Sequence, residues 1–177
     1  MFSLFPIAAF SFSGTAKRIK SFLFGDRVRP RPGCVLHCAL LFELEHSGIF
    51  VARDKIVEVE NEDGRKNIHC VEADDFLVHG GSSIYIACDK KTGAVLGTRS
   101  VADNARYAVG RGGDYNLLFD NCHMFTSSCI TGNSNNSESL FTLLERTVSR
   151  KLNRGRPITW QVWNHEDDEE PSDGAEL

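Results

Sequence analysis

Three residue types in this chain suit nucleophilic chemistry if they are brought together: a cysteine, a histidine and a carboxylate. Cys122 follows Asp120-Asn121, after a Gly-rich loop at Gly112-Gly113. An Asp or Asn before an apolar run marks a helix N-cap, so the pattern predicts a helix over 122–130, stopped by Gly132. A thiol in the first turn of a helix meets unpaired backbone N–H groups and the positive end of the helix dipole. Both favour the thiolate. The same N–H groups can donate to an oxyanion during acyl transfer. Free cysteine is also among the residues most often buried for packing alone, and that reading stands beside the catalytic one.

His46 lies in Glu45-His46-Ser47-Gly48-Ile49-Phe50, at the start of a predicted strand. A neutral imidazole at a strand end could reach a thiolate on a neighbouring helix. Gly48 beside it points to close backbone packing. Glu58 lies on the next strand, between Val57 and Val59. If the two strands pair as a hairpin, its carboxylate can bond the far nitrogen of His46 and fix the tautomer. Taken singly, His46 also reads as a half-exposed histidine and Glu58 as a solvent-facing one of two acids. Glu58 and Glu60 share a strand face, so alternation does not separate them. A second constellation, Cys34, His37 and Cys38 with His69-Cys70, holds zinc-ligand types. Its first cluster falls on a predicted strand that sends Cys34 and Cys38 one way and His37 the other. No metal and no other cofactor is therefore assigned.

The elements that must position these groups are partly visible. Pro30, Pro32 and Gly33 form a breaker cluster where the main domain starts. Strands are expected over 34–42, 47–52 and 56–60, with turns at 53–55 and 61–64 and a short strand at 68–71. Residues 74–79 are ambiguous. A strand follows at 83–88, then a helix over 101–109 ending at Gly110, then an extended stretch over 115–119. A last helix, capped by Ser137 or Ser139, carries Leu140, Phe141, Leu144 and Val148 at helical spacing. Arg150, Lys151 and Arg154 lie near its C-terminus, where the dipole favours cations. Strands gather before helices, which indicates an α+β fold.

The bulk numbers set the frame. The chain has 177 residues, enough for one domain with tails. Five consecutive acids, Glu166 to Glu170, account for more than the whole net charge of −4. Such a run repels itself, so residues 161–177 read as an acidic disordered tail. Residues 1–29 form a Phe-rich arm and residues 30–160 the thiol domain. No basic stripe interleaves with aromatics, so nucleic acid is not an expected partner. The apolar stretch 1–12 has no Lys or Arg before it, the reverse of a secretory signal, and it is too short to span a bilayer. The six cysteines are accordingly expected as free thiols in a cytoplasmic setting. Six of the twelve phenylalanines precede residue 25, with Lys17, Arg18 and Lys20 among them. That arm reads either as a peripheral membrane contact or as a segment packed on the core.

Read together, these residues resemble a known family. Tyr115-Asn116-Leu117-Leu118-Phe119-Asp120-Asn121-Cys122-His123-Met124-Phe125 resembles the Asn-Cys-Glu-His-Phe motif of the lecithin:retinol acyltransferase-like family. In that family a Tyr stands seven residues before the Cys, as Tyr115 does here. His46-Ser47-Gly48-Ile49-Phe50-Val51 resembles its His-x-Gly-Ile-Tyr strand, and Glu58 occupies the polar position twelve residues after the histidine. The resemblance covers about residues 33–132. It implies Cys122 as nucleophile, His46 as base and Glu58 as third member, supported by Tyr115 and Asn121. It also implies a permuted NlpC/P60 (papain-like) α+β fold, with an antiparallel sheet packed against the cysteine helix. The implied activity is a cysteine-dependent acyltransferase or acyl hydrolase working through a thioester on an acyl lipid or acyl amide, lipid acyl groups being favoured. An NlpC/P60-type thiol peptidase or amidase, and a binding module that keeps the fold without catalysis, are the alternatives. The chain departs from the family at His123-Met124, where the motif has Glu-His. It departs again at Glu58, where the animal acyltransferases commonly have histidine.

Overall fold

A computed structural model describes residues 28–39, 45–77, 83–111, 113–114 and 121–165. The Phe-rich arm as far as Arg27, the acidic tail from Glu166 and the expected extended stretch 115–119, with Tyr115, lie outside the described residues. In chain order the elements are β1 (Val35–Ala39), β2 (Glu45–Ala52), β3 (Lys55–Glu62), β4 (Arg65–Val71) and α1 (Ala73–Leu77). They continue with β5 (Ile84–Asp89), α2 (Arg99–Ala108), β6 (Gly113–Asp114), α3 (Cys122–Thr131), α4 (Phe141–Leu152) and β7 (Ile158–Trp163). The strands make one seven-stranded sheet in the order β6-β4-β3-β2-β1-β5-β7. Every neighbouring pair is antiparallel, so the fold is α+β with an antiparallel sheet.

Alternation along the central strands divides the core into two layers. Val35, Ile49, Val51, Val57 and Val59 face one side and pack with Val101 of α2, Phe125 of α3 and Leu144 of α4. Leu36, Cys38, Phe50 and Ile56 face the other and pack with Phe76 of α1 and Trp163 of β7. The helix α3 lies against β2, β3, α2 and α4, the centre of the molecule. None of the helices among the described residues is long and apolar enough to cross a membrane.

The β2–β3 hairpin is the one expected from sequence, and it places Ile49 opposite Val57. Gly48 sits where backbone and side chains crowd. A Cβ there would lie 2.9 Å from Ile56 Cγ2 and 3.0 Å from both Phe76 Cε2 and the Val57 carbonyl oxygen. The cysteine helix also begins and ends as expected, with Gly132 closing it at φ 72°, a left-handed conformation that favours glycine. Three points differ. Residues 74–77 of the ambiguous segment, with Ala73 before them, form the short helix α1, which buries Ala73 and Phe76, and residues 78–79 lie outside the described residues. The N-cap of α4 is Leu140, with no side-chain capping bond, in place of Ser137 or Ser139. The strand β7 was not anticipated. It pairs with β5 along six residues, from Ile84 opposite Trp163 to Asp89 opposite Ile158, and so carries the sheet past residue 160.

Candidate active site

Cys122 is the first residue of α3, and Asn121 is its N-cap. Asn121 has an extended backbone, which frees its side chain to turn back on the helix. Its Oδ1 accepts the N–H of His123 at 3.0 Å and of Met124 at 3.2 Å. Its Nδ2 donates to the Ser139 carbonyl at 2.8 Å, tying the start of α3 to the segment that leads into α4. The Cys122 Sγ lies 4.0 Å from the Glu45 carbonyl oxygen, so α3 begins where β2 begins.

His46 is buried at that end of β2, its ring 5.0 Å from that of Phe76. Its Nε2 is 2.6 Å from Glu58 Oε2. An ionised carboxylate only accepts, so Nε2 carries the proton and donates to Glu58. Nδ1 is then the nitrogen available for the hydrogen bond that His46 shares with Cys122. Alternation could not separate the two acids of β3, but the fold does. Glu58 is 1 % exposed, under the second core layer, whereas the Glu60 side chain is 41 % exposed.

Burial works against both charges of the Cys122–His46 pair, and the partners outweigh it. Burial raises the Cys122 thiol, but hydrogen bonds with His123 and His46, and their positive charges, hold it well below the usual thiol range. Burial lowers His46, but hydrogen bonds with Cys122 and Glu58, and their negative charges, lift it to about 10. Both shifts favour the thiolate–imidazolium form of the pair. The other five thiols move the opposite way. Burial is the first cause in each, taking Cys34, Cys38 and Cys129 to about 12, Cys88 to about 11, and Cys70 upward. None of the six is in a disulfide.

The structure therefore brings Cys122, His46, Glu58 and Asn121 together, while Tyr115 lies outside the described residues. It adds groups the sequence reading missed. His123 Nδ1 stands 3.8 Å from Cys122 Sγ and 2.9 Å from Ser47 Oγ, and Ser47 Oγ is 3.0 Å from Thr126 Oγ1. Adjacent residues do not share a helix face, which hid His123. Ser47 points to the helix side of β2 while His46 points to the other, so one strand end serves both sides of the thiol. His69 Nε2 lies 3.0 Å from Glu58 Oε1. A signal for it was present: the turn at Asp63-Gly64 sets Glu62 opposite Arg65, and counting back along the hairpin sets Glu58 opposite His69.

The zinc-type constellation is dispersed. Cys34 and Cys38 are buried in the second layer. His37 faces the other way into an aromatic cluster, with ring centroids 4.9 Å from Tyr85, 4.7 Å from Phe141 and 4.5 Å from Trp160. Among the described residues, no three His, Cys, Asp or Glu side chains are grouped to hold a metal ion.

No curated protein matches the chain. A family model described as lecithin retinol acyltransferase matches residues 28–135, a span that runs from before β1 to beyond the end of α3 and contains His46, Glu58 and Cys122. That match takes in more than half of the 177 residues, and the chain belongs to the lecithin retinol acyltransferase family.

Proposed function

We propose that the protein is a cysteine-dependent acyltransferase or acyl hydrolase that works through a thioester on Cys122, with acyl lipids as its favoured substrates. The observation that carries this reading is the buried line from Cys122 at the tip of α3, through His46, to Glu58 at 2.6 Å. In the first half-reaction the Cys122 thiolate attacks an ester or amide carbonyl carbon, forming the C–S bond. The His123 and Met124 N–H groups are already taken by Asn121, so the oxyanion is assigned to the Cys122 N–H at the helix start. When the intermediate collapses, the bond to the leaving alcohol or amine breaks and the leaving atom takes the His46 proton. In the second half-reaction, water or an acceptor alcohol or amine gives a proton to His46 and attacks the thioester. Cys122 departs as thiolate and the acyl group leaves on the acceptor. Glu58 orients the ring throughout and compensates its charge whenever His46 is protonated. The permuted NlpC/P60 type of fold suits this order of parts, with the histidine strand before the cysteine helix.

The test is covalent trapping. The full chain is incubated with phosphatidylcholine vesicles or an acyl thioester, quenched in acid and digested for mass spectrometry. The expected result is an acyl adduct on Cys122, removed by hydroxylamine and missing in Cys122→Ala. Adduct on another residue, or none with any acyl donor while Cys122 still alkylates rapidly at pH 6, would sink the acyl-transfer reading.

A further inference from the structure

Glu58 is asked to stay ionised while almost wholly buried, which is costly unless donors surround it. One oxygen serves His46. The other, Oε1, is 3.0 Å from Nε2 of His69, directly across the β3–β4 ladder. We propose that His69 is a fourth member of the site, a positioning residue that holds Glu58 ionised and aimed at His46 and so sustains the thiolate on Cys122. The inference rests on the thiol-enzyme reading above.

The chemistry follows from the carboxylate. Glu58 can only accept, so His69 must carry its proton on Nε2 and donate it. A hydrogen bond to the charged form of an acid favours that form. Two donors on opposite oxygens also fix the plane of the carboxylate, and with it the direction from which His46 is held. The His69 ring is about one-third exposed, with side-chain exposure 30 %, and Glu60 Oε2 stands 3.7 Å from it. The line Cys122, His46, Glu58, His69 thus runs from the buried thiol to solvent through alternate acids and bases. Removing the His69 donor weakens Glu58 as an anion. His46 then loses part of what keeps it protonated, and Cys122 loses part of what keeps it ionised.

The test is the pH profile of Cys122 alkylation by iodoacetamide, followed by mass spectrometry on the full-length chain. His69→Leu keeps bulk and removes the donor. Its alkylation midpoint should rise by about one pH unit, with the rate on the acid limb, below the wild-type midpoint, falling about tenfold. His69→Gln retains an N–H that can reach the carboxylate and should recover most of the loss. In Glu58→Gln, adding His69→Leu should change the midpoint no further. A His69→Leu midpoint equal to wild type, beside a wild-type midpoint well below the other thiols, overturns the role of His69 and leaves the thiol-enzyme reading standing. A wild-type Cys122 that alkylates like Cys70 overturns both. If His69→Leu does not fold, the wild-type tautomer decides: long-range proton–nitrogen spectra must show His69 protonated on Nε2, and a proton on Nδ1 alone removes the proposal.

Discussion

At the scale of single residues, the site depends on a balance of opposite charges among buried groups. Cys122 sits well below the ordinary thiol range and His46 is raised to about 10, so the pair is ionised between those two values. The rate of thioester formation should therefore rise as pH increases through the Cys122 value. It should fall as pH increases through about 10, when His46 no longer has a proton for the leaving group. Glu58→Gln removes a negative charge that lifts His46, so the alkaline limb should move below 10. A pre-steady-state pH series on both proteins reads this directly, and an unmoved limb would mean that Glu58 does not set the imidazole. His46→Ala removes both a hydrogen bond and a charge from the thiolate. Alkylation of Cys122 at pH 6 should fall at least about tenfold, toward the rates of the other five thiols.

At the scale of elements, two short motifs aim the site, and both were readable. Asn121 was legible as a cap because an Asn before an apolar run has one favourable use. Asn121→Ala should cost about 1 kcal/mol in urea unfolding and should also slow Cys122, since the start of α3 is no longer tied to Ser139. Gly48 was legible as a point of close packing. Gly48→Ala drives a methyl against the Val57 backbone and the Phe76 ring that backs His46, at a cost of about 1–3 kcal/mol. Unchanged unfolding midpoints would contradict that crowding. Other features were not legible because their causes are tertiary. His123 enters the site because α3 begins against β2, a relation between elements 76 residues apart for Ser47 and His123. Glu58 and Glu60 look alike in a pattern and are separated only by what covers each. The last strand was missed although Ile158, Trp160 and Val162 are strong β-formers, because the domain was expected to end at residue 160 and the acidic tail to begin at 161, within the strand Ile158–Trp163.

At the scale of the whole molecule, an aromatic cluster lies on the helix side of the sheet and borders the site through His123, whose ring is 5.6 Å from that of Phe141. His37 is buried in that cluster, and burial, helped by the nearby His123 charge, lowers it from 6.5 to about 4. A folded value below the unfolded one means that the unfolded chain binds the proton more tightly. Through His37 alone, nothing is lost above pH 6.5, and about 3 kcal/mol is lost as pH falls from 6.5 through 4. His37→Phe should flatten that loss, and urea titrations at pH 7 and pH 4.5 would show it; equal acid sensitivity in the variant would place the cause elsewhere. The strand that completes the sheet gives the molecule an optical property. Both tryptophans of the chain, Trp160 and Trp163, lie on β7 three residues apart, on opposite sides of one strand. Trp160 touches the His37 cluster, whereas Trp163 packs against Phe50 in the other layer. Intrinsic fluorescence is thus divided in space, with one indole for each half of the core. Light from a Trp163→Phe chain watches the helical side alone, and a protonated imidazole 4.5 Å away should dim it as His37 titrates.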